Sequence, residues 1–147
     1  MSINPAATSP ARATFGWSDD FLVGVAEIDE QHRRLIEMIG SFYEALREKK
    51  PASEALAALL DGLVEYTRYH FTTEERLMAR SGFPASKDHR EQHARFVSTV
   101  GNLVERVSSG QLVLSLEATS FLREWLVNHI LKSDKALGRH LVAHGTS

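Results

Sequence analysis

Four times along this chain, apolar residues return every three or four positions for several turns. That period belongs to an α-helix buried along one face, and a half-buried strand cannot produce it. The first stretch runs from about Asp29 to Lys49 and aligns Leu35, Ile36, Ile39, Phe42, Tyr43 and Leu46. Asp29 is its expected N-cap, and Pro51 forbids much continuation. The second begins near Ser53, carries Leu56, Leu59, Leu60, Leu63, Val64, Thr67, His70, Phe71, Glu74, Leu77 and Met78 on one side, and stops at Gly82 and Pro84. The third starts near Ser86, brings His89, His93, Phe96, Val97, Val100, Leu103, Val104 and Val107 together, and ends at residues 108–110. The fourth carries Leu116, Thr119, Leu122, Trp125, Leu126, His129 and Ile130.

No segment alternates with period two long enough to argue a sheet. Four helices with short connections predict an all-α fold, an antiparallel up-down-up-down four-helix bundle. Residues 17–147 are expected to form it. Residues 1–16, with Pro5, Pro10 and several alanines and serines, read as a flexible N-terminal arm that Trp17 anchors on the bundle. Residues 135–144 are expected to add a short C-terminal helix with Leu137 and Leu141 on its apolar side.

A length of 147 residues suits one domain with a real core. The chain has no cysteine, which excludes disulfides, thiolate zinc sites, iron–sulfur clusters and thiol chemistry together. Any metal must therefore sit on nitrogen and oxygen. A net charge of -2 offers no field to recruit nucleic acid or an anionic membrane, so neither partner is expected. The longest apolar run, residues 55–64, is broken by Asp61 and Gly62 and is too short to span a bilayer. The first residues lack the apolar segment of a secretory signal, so the expected location is cytoplasmic.

The informative conflict is that three of the four stripes place histidine where a bundle wants leucine. Packing does not favour imidazole. His70 and Glu74 are four residues apart and share one helix face, and His89 and His93 repeat that spacing on the third helix. His129 comes from the fourth helix and His32 from the first. Glu75 lies about 100° round the helix from Glu74 and is expected to be a solvated acid. Asp134 follows His129 by five residues, which on an ideal helix turns it about 140° away. If it is a ligand, the helix must widen into a π-like turn there.

Any one of these histidines alone is more often a hydrogen-bonded helix residue. Together, His32, His70, Glu74, His89, His93, His129 and Asp134 are difficult to explain by packing. Five imidazoles and two carboxylates exceed the needs of one ion and match two ions bridged by the acids and a hydroxide. His89, His93 and His129 group on one ion and His32 with His70 on the other, which leaves one coordination position open. Imidazole with carboxylate suits iron, zinc, copper or nickel, and affinity alone does not choose among them. His140 and His144 also have ligand-like spacing, but lie in a polar tail and read as exposed surface histidines.

Several segments resemble the hemerythrin family, and its bacterial single-domain members in particular. They are Trp17-Ser18-Asp19-Asp20, Val23-Gly24-Val25, Ile28-Asp29-Glu30-Gln31-His32, His70-Phe71-Thr72-Thr73-Glu74-Glu75, the pair His89 and His93, and Trp125-Leu126-Val127-Asn128-His129-Ile130 with Asp134. All seven ligand positions of that family are filled. The resemblance implies two iron ions with a bridging hydroxide or oxide, ferrous in the deoxy form and ferric in the oxy and met forms. It implies reversible binding of molecular oxygen for storage, transport or delivery to an unidentified recipient, and no enzymatic turnover. Phe71, Trp125, Leu126 and Ile130 would then wall a dry oxygen pocket. The competing readings are an oxygen or redox sensor and a di-iron oxidase or peroxidase. Against the last, ferritin-like di-iron enzymes use paired Glu-x-x-His motifs, and the chain contains none.

Overall fold

The computed structural model describes residues 15–111 and 113–147. A 3₁₀ turn at Asp19–Phe21 leads into α1 (Ala26–Arg47), α2 (Ala52–Ser81), α3 (Ser86–Ser108) and α4 (Ser115–Asn128). A π-helical segment, His129–Asp134, then runs into α5 (Lys135–Ala143). No strand occurs among the described residues, and the fold is the all-helical bundle that the periodicity predicts. The connections at 48–51 and 82–85 are too short for anything but antiparallel neighbours. α1 packs along α2, α2 along α3, and α4 also lies against α2.

Gly82 stops α2 because it takes a left-handed conformation, φ 67°, while its N–H bonds the Met78 carbonyl. Asp29 does not cap α1 as expected, since the helix begins three residues earlier. Its carboxylate instead accepts the N–H groups of Val23 at 2.7 Å and Gly24 at 3.2 Å. The entering chain is thereby tied back onto the helix it feeds. The same strand of chain is clamped from the other side: a Cβ at Gly138 on α5 would sit 2.2 Å from the Val23 carbonyl. Only glycine lets α5 approach this closely. α5 is the C-terminal helix anticipated at 135–144, but it continues α4 through the π segment rather than standing apart.

Of the expected arm, residues 1–14 lie outside the described residues. Its end, Phe15, packs on Phe21 at 6.5 Å between ring centroids. Trp17 stands edge-on to Phe21 at 5.6 Å, with the Arg33 guanidinium over its ring.

The interior has two apolar bodies. The larger includes Leu35, Ile36, Ile39, Phe42, Leu56, Leu60, Leu63, Phe96, Val100, Leu122, Leu126 and Ile130. The smaller consists of Val23, Val25, Ile28, Leu77, Met78, Leu137 and Leu141. Along α1 and α2 the candidate ligands fall at the boundary between them: His32 follows Ile28 and precedes Leu35, and Glu74 follows Phe71 and precedes Leu77. A leucine buried at such a position would contribute about 1.5–3 kcal/mol. The fold forgoes that for a whole polar layer, so the layer must have another use.

Candidate metal centre

All seven expected ligand residues meet in this layer, and every one is buried. α1 supplies His32, α2 His70 and Glu74, α3 His89 and His93, and the π segment His129 and Asp134. The π segment spans just the residues where the five-residue offset demanded a distortion. Its widened turn brings Asp134 to the same side as His129, whose Nε2 lies 3.0 Å from Asp134 Oδ1.

The donor atoms divide into two groups that share both carboxylates. Glu74, His89, His93, His129 and Asp134 form one, and His32, His70, Glu74 and Asp134 the other, with donor atoms in each lying within 4.8 Å of one another. All five imidazoles turn Nε2 inward. His70 Nε2 stands 3.0 Å from Glu74 Oε2, His89 Nε2 3.1 Å from Glu74 Oε1 and 3.0 Å from Asp134 Oδ1, and His93 Nε2 3.1 Å from Glu74 Oε1. His32 Nε2 lies 2.8 Å from Asp134 Oδ2 and 3.4 Å from Glu74 Oε2.

Close as they are, several of these atoms lack hydrogen-bonding geometry. His32 Nε2, His70 Nε2, Glu74 Oε2 and both Asp134 oxygens are buried without a hydrogen-bond partner. Leaving one such polar atom unsatisfied costs about 1–3 kcal/mol, and more when it is charged. His93 Nε2 and His129 Nε2 face each other at 3.2 Å, where they can share one proton at most. A cation inside each group would satisfy all of these atoms at once. The residues present therefore fit a pair of bridged metal ions, of a kind that accepts imidazole and carboxylate.

In metal-free protein, protons balance the charge of this layer. Burial would lower the His32 imidazole, but Asp134 and Glu74 outweigh it and raise it to about 9. The same balance raises His89 to about 9. His70 goes the other way, lowered by burial that Glu74 only partly offsets. Burial opposes ionisation of Glu74, yet the surrounding imidazoles, His70 foremost, hold its carboxyl well below the usual range. Asp134 is likewise held low, with His129 and His32 overcoming both burial and the charge of Glu74.

Behind the inward nitrogens stands a set of acceptors that sequence reasoning missed. Gln31 Oε1 on α1 accepts from His70 Nδ1 on α2 at 2.7 Å, and the Gln31 amide donates to Thr73 Oγ1. Gln92 Oε1 on α3 accepts from His129 Nδ1 at 2.8 Å and from Ser133 Oγ at 2.7 Å. Glu75 Oε2 accepts from His93 Nδ1 at 3.0 Å, so it is not merely the solvated acid expected. Each acceptor fixes the tautomer that leaves Nε2 free to bind a cation. The overlooked signal was a repeated triplet: Glu30-Gln31-His32 on α1 and Glu91-Gln92-His93 on α3. In both, the glutamine serves a histidine on the next helix rather than its own neighbour.

The four expected pocket residues take two kinds of place. Phe71 lies flat on His93, 3.8 Å between centroids and 6° from parallel, and Trp125 lies flat on His129 at 4.6 Å and 12°. Leu126 and Ile130 are buried in the larger apolar body with Leu35 and Ile36. His140 is not the free surface histidine expected. It is half-buried and its Nε2 donates to the Ser81 carbonyl at 3.0 Å, while His144 is exposed beside it.

Comparison with known proteins adds to this geometry. The hemerythrin HHE cation binding domain matches residues 23–141. A bacteriohemerythrin of Stenotrophomonas maltophilia is 36% identical over 128 residues, which span 87% of this chain and 82% of that protein. A bacteriohemerythrin of Pseudomonas aeruginosa is 37% identical over 118 residues, 80% of this chain and 75% of the relative. A hemerythrin-like protein of Naegleria gruberi is 36% identical over 120 residues, 82% of this chain and 87% of its own length. Among solved structures, a wild-type hemerythrin superposes with a TM-score of 0.76 at 28% identity, covering 85% of this chain and 95% of the other.

Proposed function

The chain belongs to the hemerythrin family, and from that premise we propose that it binds molecular oxygen reversibly at a pair of iron ions, for storage, transport or delivery. His32, His70, His89, His93 and His129 would hold the irons, with Glu74 and Asp134 between them. When bound there, two ferrous ions would supply the electrons for reversible oxygen binding.

The observation that carries this reading is the inequality of the two donor groups around shared carboxylates. The larger group would hold one iron on five protein donors and the smaller would hold the other on four, so that oxygen would bind beside His32 and His70. The chain's own contribution there is dryness. His32 and His70 are 0% and 1% exposed, and Leu35, Phe71, Leu126 and Ile130 belong to the apolar body next to them. Walls of this kind keep out the water that would assist irreversible oxidation. His70 is held by Gln31 with its ring nitrogen directed inward, so the smaller group is rigid as well as dry.

The test is spectroscopic. Protein loaded anaerobically should carry close to two irons per chain, develop a visible charge-transfer band on exposure to oxygen, and lose it under vacuum. One zinc, no metal, or a band that never reverses would sink the proposal.

A further inference from the structure

His129 is the most exposed of the seven candidate ligands, at 4%. It lines a surface cleft of about 300 Å³ together with Gln92, Arg95, Trp125, Asn128, Lys132 and Ser133. Trp125 forms the inner wall, half-buried and lying flat on the His129 ring at 4.6 Å. Its other neighbour is Phe96, stacked at 4.2 Å. An aromatic surface therefore runs without a gap from solvent to a ligand of the larger donor group. Arg95 and Lys132 flank it, both exposed, and neither enters an ion pair among the described residues. No acidic residue lines the cleft, although the chain as a whole is net negative.

We propose that this cleft is the docking point for an acidic one-electron donor protein, which reduces the iron pair through Trp125 and His129. The inference rests on the iron reading above and deepens it by assigning a partner. Two free cations around an aromatic wall favour a partner whose contacting face is acidic and steer its approach. A small anion would use the cations but has no need of the stacked rings. Each encounter oxidises the donor by one electron and converts one ferric ion to ferrous, so two encounters return an oxidised pair to the oxygen-binding state. No bond in the protein forms or breaks.

The experiment uses iron-loaded ferric protein with two reductants of opposite charge: a reduced plant-type ferredoxin, which is acidic, and hexaammineruthenium(II), a cation. The double variant Arg95→Glu/Lys132→Glu should slow reduction by ferredoxin at least tenfold at low salt and reverse its dependence on ionic strength, the rate now rising with salt. Reduction by hexaammineruthenium(II) should be unchanged or faster. Trp125→Leu should lower the limiting rate with ferredoxin, and Trp125→Phe should restore most of it. Oxidised ferredoxin should shift the Trp125 indole resonance of wild-type protein and not that of a charge-reversed variant carrying the same tryptophan. An unchanged ferredoxin rate in the double variant, or equal slowing with both reductants, overturns the docking site. Iron content and the oxygen spectrum of the same samples report separately on the reading beneath it. Their loss in wild-type protein would defeat oxygen binding, whereas a normal spectrum with charge-independent reduction defeats only the partner.

Discussion

The two donor groups are built on one plan and differ in what surrounds it. In each, a glutamine from a Glu-Gln-His triplet reaches across to the next helical segment and holds a histidine by Nδ1: Gln31 to His70 between α1 and α2, Gln92 to His129 between α3 and the π segment. Beyond that the resemblance stops. The larger group has a third histidine, aromatic rings flat against His93 and His129, and Glu75 behind His93. In the smaller group, His32 Nδ1 is buried with no partner at all. One group has five donors backed by stacked rings and a carboxylate, and the other has four donors set against apolar residues. Under the proposed function, that difference would assign metal retention to the first group and ligand admission to the second.

The largest effect should come from what the two groups share. Glu74→Ala removes a donor from both, and we expect iron to fall below one per chain by elemental analysis, with the oxygen band gone. Full retention of two irons would show that the groups do not depend on a common carboxylate. A sharper test sets the groups against each other. His70→Ala leaves three protein donors in the smaller group, while His93→Ala leaves four in the larger, as many as the smaller has in the native protein. The expected result is about one iron per chain for the first and nearly two for the second. Equal losses would remove the asymmetry on which the functional reading stands.

Next in size are the crossing glutamines. Gln31→Leu and Gln92→Leu each leave a histidine without its orienting acceptor, which typically costs about 10–100-fold in metal affinity. Competition with a chelator measures it. The comparison predicts the greater loss at Gln31, because its group has fewer donors to compensate.

Those glutamines also show where sequence reasoning stopped. The four helices were legible from their apolar period, and most of the seven residues that meet in the polar layer from imidazole and carboxylate standing in apolar stripes. The π segment was legible too, because a five-residue offset cannot be reconciled with a regular helix. All of these are properties of a single helix. Gln31, Gln92 and Glu75 acquire their roles only when two helices are set side by side, and spacing within one helix carries no information on that. Asp29 was misplaced for a related reason: as an acid at a helix start it resembles a cap, whereas its carboxylate serves the chain folded back over it. His140 looked free because the Ser81 carbonyl that it meets lies 59 residues away in sequence.

Proton linkage divides evenly between the groups, with one imidazole raised to about 9 in each, His32 and His89. In metal-free protein these contribute stability that is complete below the unfolded value of about 6.5 and is lost as pH rises through 9. His70, lowered on folding, contributes in the opposite sense and weakens the protein as pH falls below 6.5. Glu74 and Asp134, held low, add a loss as pH falls below the ordinary carboxyl range. Urea midpoints of metal-free protein should therefore peak near pH 6.5 and decline on both sides. Bound metal keeps the ligands deprotonated, so the alkaline decline should vanish on loading, and loading near pH 7.5 should release protons. A flat metal-free profile from pH 6.5 to 9 would contradict the charge balance described for both groups.

The smallest effect is expected at Glu75, and it tests whether donor number cushions a group. Its side chain is 38% exposed, so solvent could replace its bond to His93 Nδ1. His93 also has Phe71 against its face, so its ring is oriented by packing even when the acceptor weakens. Glu75→Gln keeps an acceptor oxygen and removes only its charge. Chelator competition should show less than a tenfold change, with two irons retained. Glu75→Leu, which removes the acceptor, should still fall short of Gln31→Leu, because the larger group has four other donors and a stacked ring where the smaller has three donors and none. If Glu75→Gln released iron as readily as Gln31→Leu, the acceptor's charge would govern retention, and the contrast between the five-donor and four-donor groups would not set how firmly each holds iron.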